Sequence, residues 1–167
     1  MRNLLLRSVA LGLLLAPCCG SADDKVAHNA VIAVVDFDYT DGSGEMRDQS
    51  QEHAARLAAF MTALRNDLSA RANLRVVAPS CSPEPCAPAG PRDDLLAAAR
   101  AAGASIVLVG GVHKTSTLVQ WANVEAIDAA TGRILFHKLF SFRGDNDEAW
   151  RRAESFIAGE IVALPPS

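Results

Sequence analysis

Two groups of carboxylates are the residues of this 167-residue chain whose types and spacing could do chemistry. Asp36 and Asp38 follow the apolar run Val31-Ile32-Ala33-Val34-Val35, and Asp145 and Asp147 sit in Gly144-Asp145-Asn146-Asp147. Carboxylates at such spacing can share acid/base work, but at strand ends they commonly serve as loop and cap residues, which is the favoured reading of both groups. His28, His53, His113 and His137 fall in four different elements and have no metal-ligand spacing. A hydrolase nucleophile on a Gly-x-Ser-x-Gly turn is absent. Gly42-Ser43-Gly44 lacks both the spacing and the lysine of a phosphate-binding loop. No complete catalytic set is present, and no cofactor is implied.

The elements that position these residues centre on Ser105 to Arg143. Ile106-Val107-Leu108-Val109-Gly110-Gly111-Val112 is an unbroken branched run, read as a strand buried on both faces. A second strand runs from about Thr117 to Asp128, and the Gly-containing turn Ala129-Ala130-Thr131-Gly132 leads into a third from Arg133 to Arg143. Ile134, Phe136, Phe140 and Phe142 share one face of that third strand at period two. Upstream, residues 31 to 35 form a strand, and Asp48 with Gln51 is a candidate capping pair for a helix to about Ala70. Its apolar stripe is Leu57, Phe60, Met61, Leu64 and Leu68, and His53, one turn before Leu57, reads as a partly buried structural histidine. A short strand over residues 74 to 78, a helix from Pro91 to Gly103, and a last helix with Trp150, Ala153, Ile157, Ile161 and Leu164 on one stripe complete the chain. The expected fold class is α/β: a single domain with a mixed five-stranded sheet of order 2-1-3-4-5, an antiparallel end, and helices on both faces.

Arg2 and Arg7 flank the apolar run from Val9 to Ala16, and small residues end at Ala22, the pattern of a secretory signal over residues 1–22. The run is too short to span a bilayer. A flexible leader (23–30) and the domain (31–164) follow. Leu15-Ala16-Pro17-Cys18 resembles a bacterial lipoprotein box, with Pro17 where Gly or Ala is usual, so Cys18 is a candidate lipid anchor. Without residues 1–22, 14 basic residues face 19 acidic ones, a net charge of −5. No basic face for a nucleic-acid backbone emerges. The only cysteines left are Cys81 and Cys86, which in an oxidising compartment most simply form a disulfide closing a small Pro-rich loop.

Val109 to Trp121, Phe142 to Trp150 and Val35-Asp36-Phe37-Asp38-Tyr39 resemble a family of predicted secreted bacterial proteins whose domain has no assigned function. The strand order and the Asp128-Ala129-Ala130-Thr131-Gly132 turn are, more remotely, similar to the N-terminal α/β domain of TolB and related envelope proteins, a resemblance that implies service in protein assemblies. Asp36-Phe37-Asp38-Tyr39-Thr40 also resembles the first motif of haloacid-dehalogenase-type phosphatases, which would make Asp36 a nucleophile, Asp38 an acid/base and Mg²⁺ the cofactor. Asp41 stands where that motif has an apolar residue, and Lys114 precedes its hydroxyl cluster instead of following it.

In the order 2-1-3-4-5, ligands are expected beyond the carboxyl ends of the first and third strands. That edge gathers Asp36, Asp38 and Tyr39 with Gly111, His113 and Lys114, and the meander returns Arg143 and Asp145 to it. Two readings stand: a polar ligand or partner site with His113 as its pH-sensitive member, or a solvated salt-bridge cluster holding loops together. The leading functional expectation is an exported, periplasmic, non-enzymatic binding or interaction domain, whose partner is an envelope protein or a small polar ligand. A Mg²⁺-dependent phosphatase and a structural envelope component are the alternatives.

Overall fold

The computed structural model describes residues 30–162 apart from 72 and 83. The expected signal segment, the leader up to residue 29, Cys18 and Leu164 lie outside the described residues. In chain order the elements are β1 (Ala30–Val34), β2 (Asp38–Asp41), α1 (Ser50–Ser69), β3 (Leu74–Val77), α2 (Arg92–Ala101), β4 (Ile106–Lys114), β5 (Val119–Asp128), β6 (Ile134–Arg143) and α3 (Asp147–Val162).

The main path of the sheet is β3-β1-β4-β5-β6, the expected order. Branched residues buried on both faces make β1 and β4 its centre: Ile32 and Val34 face one core, Ala33 and Val35 the other. β1 pairs in parallel with β3 and β4, while β5 and β6 add the antiparallel end. Gly132, at φ 71°, turns the last hairpin, and Asp128 Oδ1 accepts from the backbone of Ala130 and Thr131 at 3.0 and 2.8 Å.

One strand departs from expectation. After Val35-Asp36-Phe37 the chain resumes as β2, which runs parallel along the second half of β4 with Asp38 opposite Gly111 and Asp41 opposite Lys114. Its sequence Asp38-Tyr39-Thr40-Asp41 has one apolar residue directed at the core, so no hydrophobic run marks it. Gly110 sustains the junction, because a Cβ there would come 2.5 Å from the Asn123 carbonyl and 2.7 Å from the Phe37 ring.

Helices α1 and α3 cover one face, where Phe60, Leu64, Leu68, Trp150, Ile157 and Ile161 join the larger core. Helix α2 covers part of the other through Leu95, Leu96 and Ala99. It ends in a Schellman motif: Gly103 takes φ 77°, and the amides of Gly103 and Ala104 donate to Arg100 and Ala99.

Two local expectations are corrected. A register shift opposite Ala126 and Ile127 puts Ile134 off the face of Phe136, Phe140 and Phe142, leaving it exposed while Leu135 packs inward. The Asp48–Gln51 capping pair does not form, since Asp48 accepts from Ser50 N–H at 2.9 Å and α1 begins after Gln49 without a side-chain cap. Gln49 is engaged elsewhere, as follows.

Candidate functional site

β2 occupies the place where a crevice between the first and third strands was expected, and the eight sequence-selected residues therefore divide into three neighbourhoods. Successive strand side chains face opposite ways. Tyr39 and Lys114 turn toward α1 and α3, where Asp145 meets them, while Asp38, Gly111 and His113 turn to the other face. Asp36 lies apart in the break between β1 and β2, bound to Arg65 at 2.6 Å.

The first neighbourhood is a buried polar network. Lys114 is fully buried, and its Nζ donates to Asp145 Oδ2 at 2.8 Å, to Gln49 Oε1 at 2.6 Å and to Glu45. Asp145 also accepts from His53 Nε2–H at 2.8 Å and from Arg56 at 2.9 Å. Burial opposes ionisation of Asp145, but the bonds from Lys114 and His53 outweigh it and hold the carboxyl below the usual range. Burial likewise disfavours the Lys114 ammonium, yet Asp145 and Glu45 raise its pKa. The Tyr39 ring stacks on His53 with centroids 4.7 Å apart, and burial, reinforced by Asp41 and Asp145, pushes its phenol up. Gln120 Nε2 donates to the Gly144 carbonyl at 3.1 Å, fixing the loop that carries Asp145.

This network ties the loop before α1, the end of β4 and the start of α3 into one unit. Its ion pairs are buried, whereas the salt-bridge cluster weighed as one of the two readings was a solvated one. Sequence reasoning selected Lys114 and Asp145 but missed Glu45, Gln49 and Arg56. It placed His53 as a structural histidine, and His53 is 1% exposed. The signal for Gln49 and Glu45 is weak, because both lie in a polar loop with no periodicity.

The second neighbourhood is a half of the sheet that is uncovered among the described residues. Helix α2 shields the part around Val107 and Ile127, and beyond it β2, β4, β5 and β6 present their outer face directly. The ladders set His113 beside Trp121, Gly111 beside Asn123, and Asn123 beside Leu139. A shallow hollow of about 490 Å³ lies among these residues and His137, whose Nε2–H donates to Asn123 Oδ1 at 2.8 Å. Trp121 is 36% and Leu139 52% exposed. A Cβ on Gly111 would come 1.9 Å from Asp38 Oδ1, so the exposed Asp38 carboxylate lies over β4 in the space a side chain there would take. Arg143 is exposed at the end of β6.

The third neighbourhood combines Asp36 and Arg65 with the disulfide loop, around a hollow of about 270 Å³ that includes Pro79, Glu84 and Cys86. Cys81 and Cys86 are joined, with Cα atoms 5.0 Å apart. The carboxylates of the phosphatase-like motif thus do not meet: Asp36 pairs with Arg65, Asp38 lies over Gly111, Asp145 is held by Lys114, and Asp147 bonds Arg56 at 2.9 Å. Among the described residues no group of three or more His, Cys, Asp or Glu side chains could hold a metal ion.

No curated protein matches the chain. Among solved structures, TolB from Acinetobacter baumannii is similar at 16% identity and TM-score 0.52, over 81% of this chain and 28% of TolB. The LpoB C-terminal domain from Escherichia coli is similar at 17% identity and TM-score 0.51, over 71% of this chain and 85% of that one. The PelC dodecamer from Paraburkholderia phytofirmans gives 20% identity and TM-score 0.51, over 84% and 90%. At these identities the likeness is one of fold. The family is shown by sequence: over residues 30–161 the chain matches, and so belongs to, the family described as "Protein of unknown function (DUF2380)".

Proposed function

We propose that the chain is an exported cell-envelope domain that binds a protein partner through the uncovered half of its sheet. The observation that carries this reading is the Trp121, Leu139, His113 and His137 surface, where an indole and a leucine stay exposed between hydrogen-bonding groups while helix α2 covers another part of the same face. Tryptophan in such a setting is a common energetic anchor of protein interfaces. The signal-like N-terminus supports the compartment, and the fold shared with TolB and the LpoB C-terminal domain supports the class by analogy. The partner's contacting surface supplies an apolar centre for Trp121 and Leu139, ringed by groups that pair with the imidazoles.

Lys114 is unsuited to a test of this site because it belongs to the buried network, so Trp121→Ala with His113→Ala is the informative variant. A photo-crosslinking residue in place of Leu139, in cells, is expected to give one stoichiometric adduct with another protein. Trp121→Ala with His113→Ala should remove that adduct while leaving the thermal midpoint nearly unchanged. Survival of the adduct in the variant, or a product of twice the chain's mass, would overturn the reading.

A further inference from the structure

Helices α1 and α3 lie side by side on the sheet, but they leave a groove of about 590 Å³ between them, within the size range of small-molecule sites. Ala55, Ala59 and Ala63 recur every four residues along α1 and form one wall, so the groove exists because that stripe carries no larger side chain. Phe60 and Trp150 line it, their rings edge to face with centroids 6.1 Å apart. Glu154, one turn beyond Trp150, also lines the groove.

Glu154 is 2% exposed, and among the described residues neither its Oε1 nor Trp150 Nε1 has a hydrogen-bond partner. Leaving such a group unmatched normally costs about 1–3 kcal/mol, and more for a charge. The other charged groups of the lining are already committed. Arg56 serves Asp145 and Asp147, Arg151 serves Glu148, and Glu52 pairs with Arg47. A carboxylate beside two aromatic rings suits one chemistry above others, because both attract a cation and the alanine wall leaves room for the body that carries it.

We propose that the α1–α3 groove is a binding site for a protonated primary amine on an apolar body, with Glu154 as its anion and Phe60 and Trp150 as its aromatic walls. The site is independent of the uncovered sheet face. Burial first, and then repulsion from Asp67 of α1, pushes the Glu154 carboxyl up to about 7, against the opposing pull of Arg151 on α3. A bound ammonium reverses that balance, so uptake strengthens as pH rises through neutrality.

The chain has two tryptophans, so a Trp121→Phe background leaves Trp150 as the sole indole reporter. The mature protein in that background is titrated with benzylamine, which stays protonated across the range used. Saturable change in Trp150 fluorescence is expected, with affinity roughly thirty-fold weaker at about pH 5.5 than at about pH 8, as proton competition at a group titrating near 7 requires. Benzyl alcohol, its neutral counterpart, should bind at least about tenfold more weakly. Glu154→Gln should lose both the affinity and its pH dependence. Ala59→Leu, which fills the groove and leaves the carboxyl in place, should lose the affinity alone, and circular dichroism verifies that both variants fold. Absence of saturation, undiminished affinity in either variant, or equal binding of benzyl alcohol would overturn the proposal.

Discussion

Replacing Lys114 by methionine removes the cation at the centre of the buried network while keeping most of its volume. Removing one partner of a buried ion pair costs about 3–5 kcal/mol, because the other charge is left uncompensated. Asp145 keeps His53 and Arg56 as donors, and Glu45, with a side chain 23% exposed, can turn to water. The expected loss is therefore at the lower end, about 3 kcal/mol, which for a domain of this size lowers the thermal midpoint by roughly 10 °C. Urea denaturation at neutral pH measures it, and a cycle with Asp145→Asn isolates the coupling between the two residues. The pH dependence has a definite sign. A depressed carboxyl contributes stability that is full above its unfolded value and is lost as pH falls through its folded value. The raised Lys114 contributes stability that persists until pH climbs past its own ordinary range. Lys114→Met should thus be most damaging in the broad window between these limits and should lose less in acid. A loss below about 1 kcal/mol, the worth of an exposed pair, would refute the assignment of this lysine to a buried network.

For Glu154 the linkage runs the opposite way: its folded value lies above the unfolded one, so stability is full in acid and declines as pH rises toward about 7. Glu154→Gln should leave the urea midpoint unchanged near pH 4 and raise stability by about 2–3 kcal/mol near pH 8. Gly110→Ala drives a methyl against the Asn123 carbonyl and the Phe37 ring, and should cost about 1–3 kcal/mol in a urea titration. Exported protein should show no free thiol at Cys81 or Cys86 when counted under denaturing, non-reducing conditions, and reduction should cost about 2 kcal/mol for so short a ring.

The strand order was legible because apolar runs and Gly-marked turns delimit the five main strands and crossover handedness leaves few arrangements. β2 was not, since a strand that pairs along only half of β4 needs no hydrophobic run. Grouping side chains by the strand end they occupy brought His113 and Lys114 together, whereas period two sends neighbours to opposite faces. Applied to the Asp38-Gly111 and Tyr39-Val112 pairs, the same alternation could have divided the candidate set beforehand only if the β2 register had been known. The contact between His53 and Asp145 joins residues 92 apart and has no local trace.

Lys114 and Glu154 are both buried ionisable residues, and their surroundings give them opposite meanings. Lys114 emerges from a strand that also carries Val112 into the core, and its Nζ donates to Glu45 and Gln49 of the loop before α1 and to Asp145 of the loop before α3, so its buried charge is matched as the fold stands. Glu154 interrupts the stripe between Trp150 and Ile157 that should be wholly apolar, and this was visible in the sequence as a carboxylate one turn from each. What the sequence could not supply is that α1 sets the alanine stripe Ala55, Ala59 and Ala63 along the groove that Glu154 lines, and brings Asp67 rather than a cation near its carboxyl. A satisfied buried charge fixes structure, while an unsatisfied one beside open volume and two aromatic rings is where a ligand would lower the free energy most.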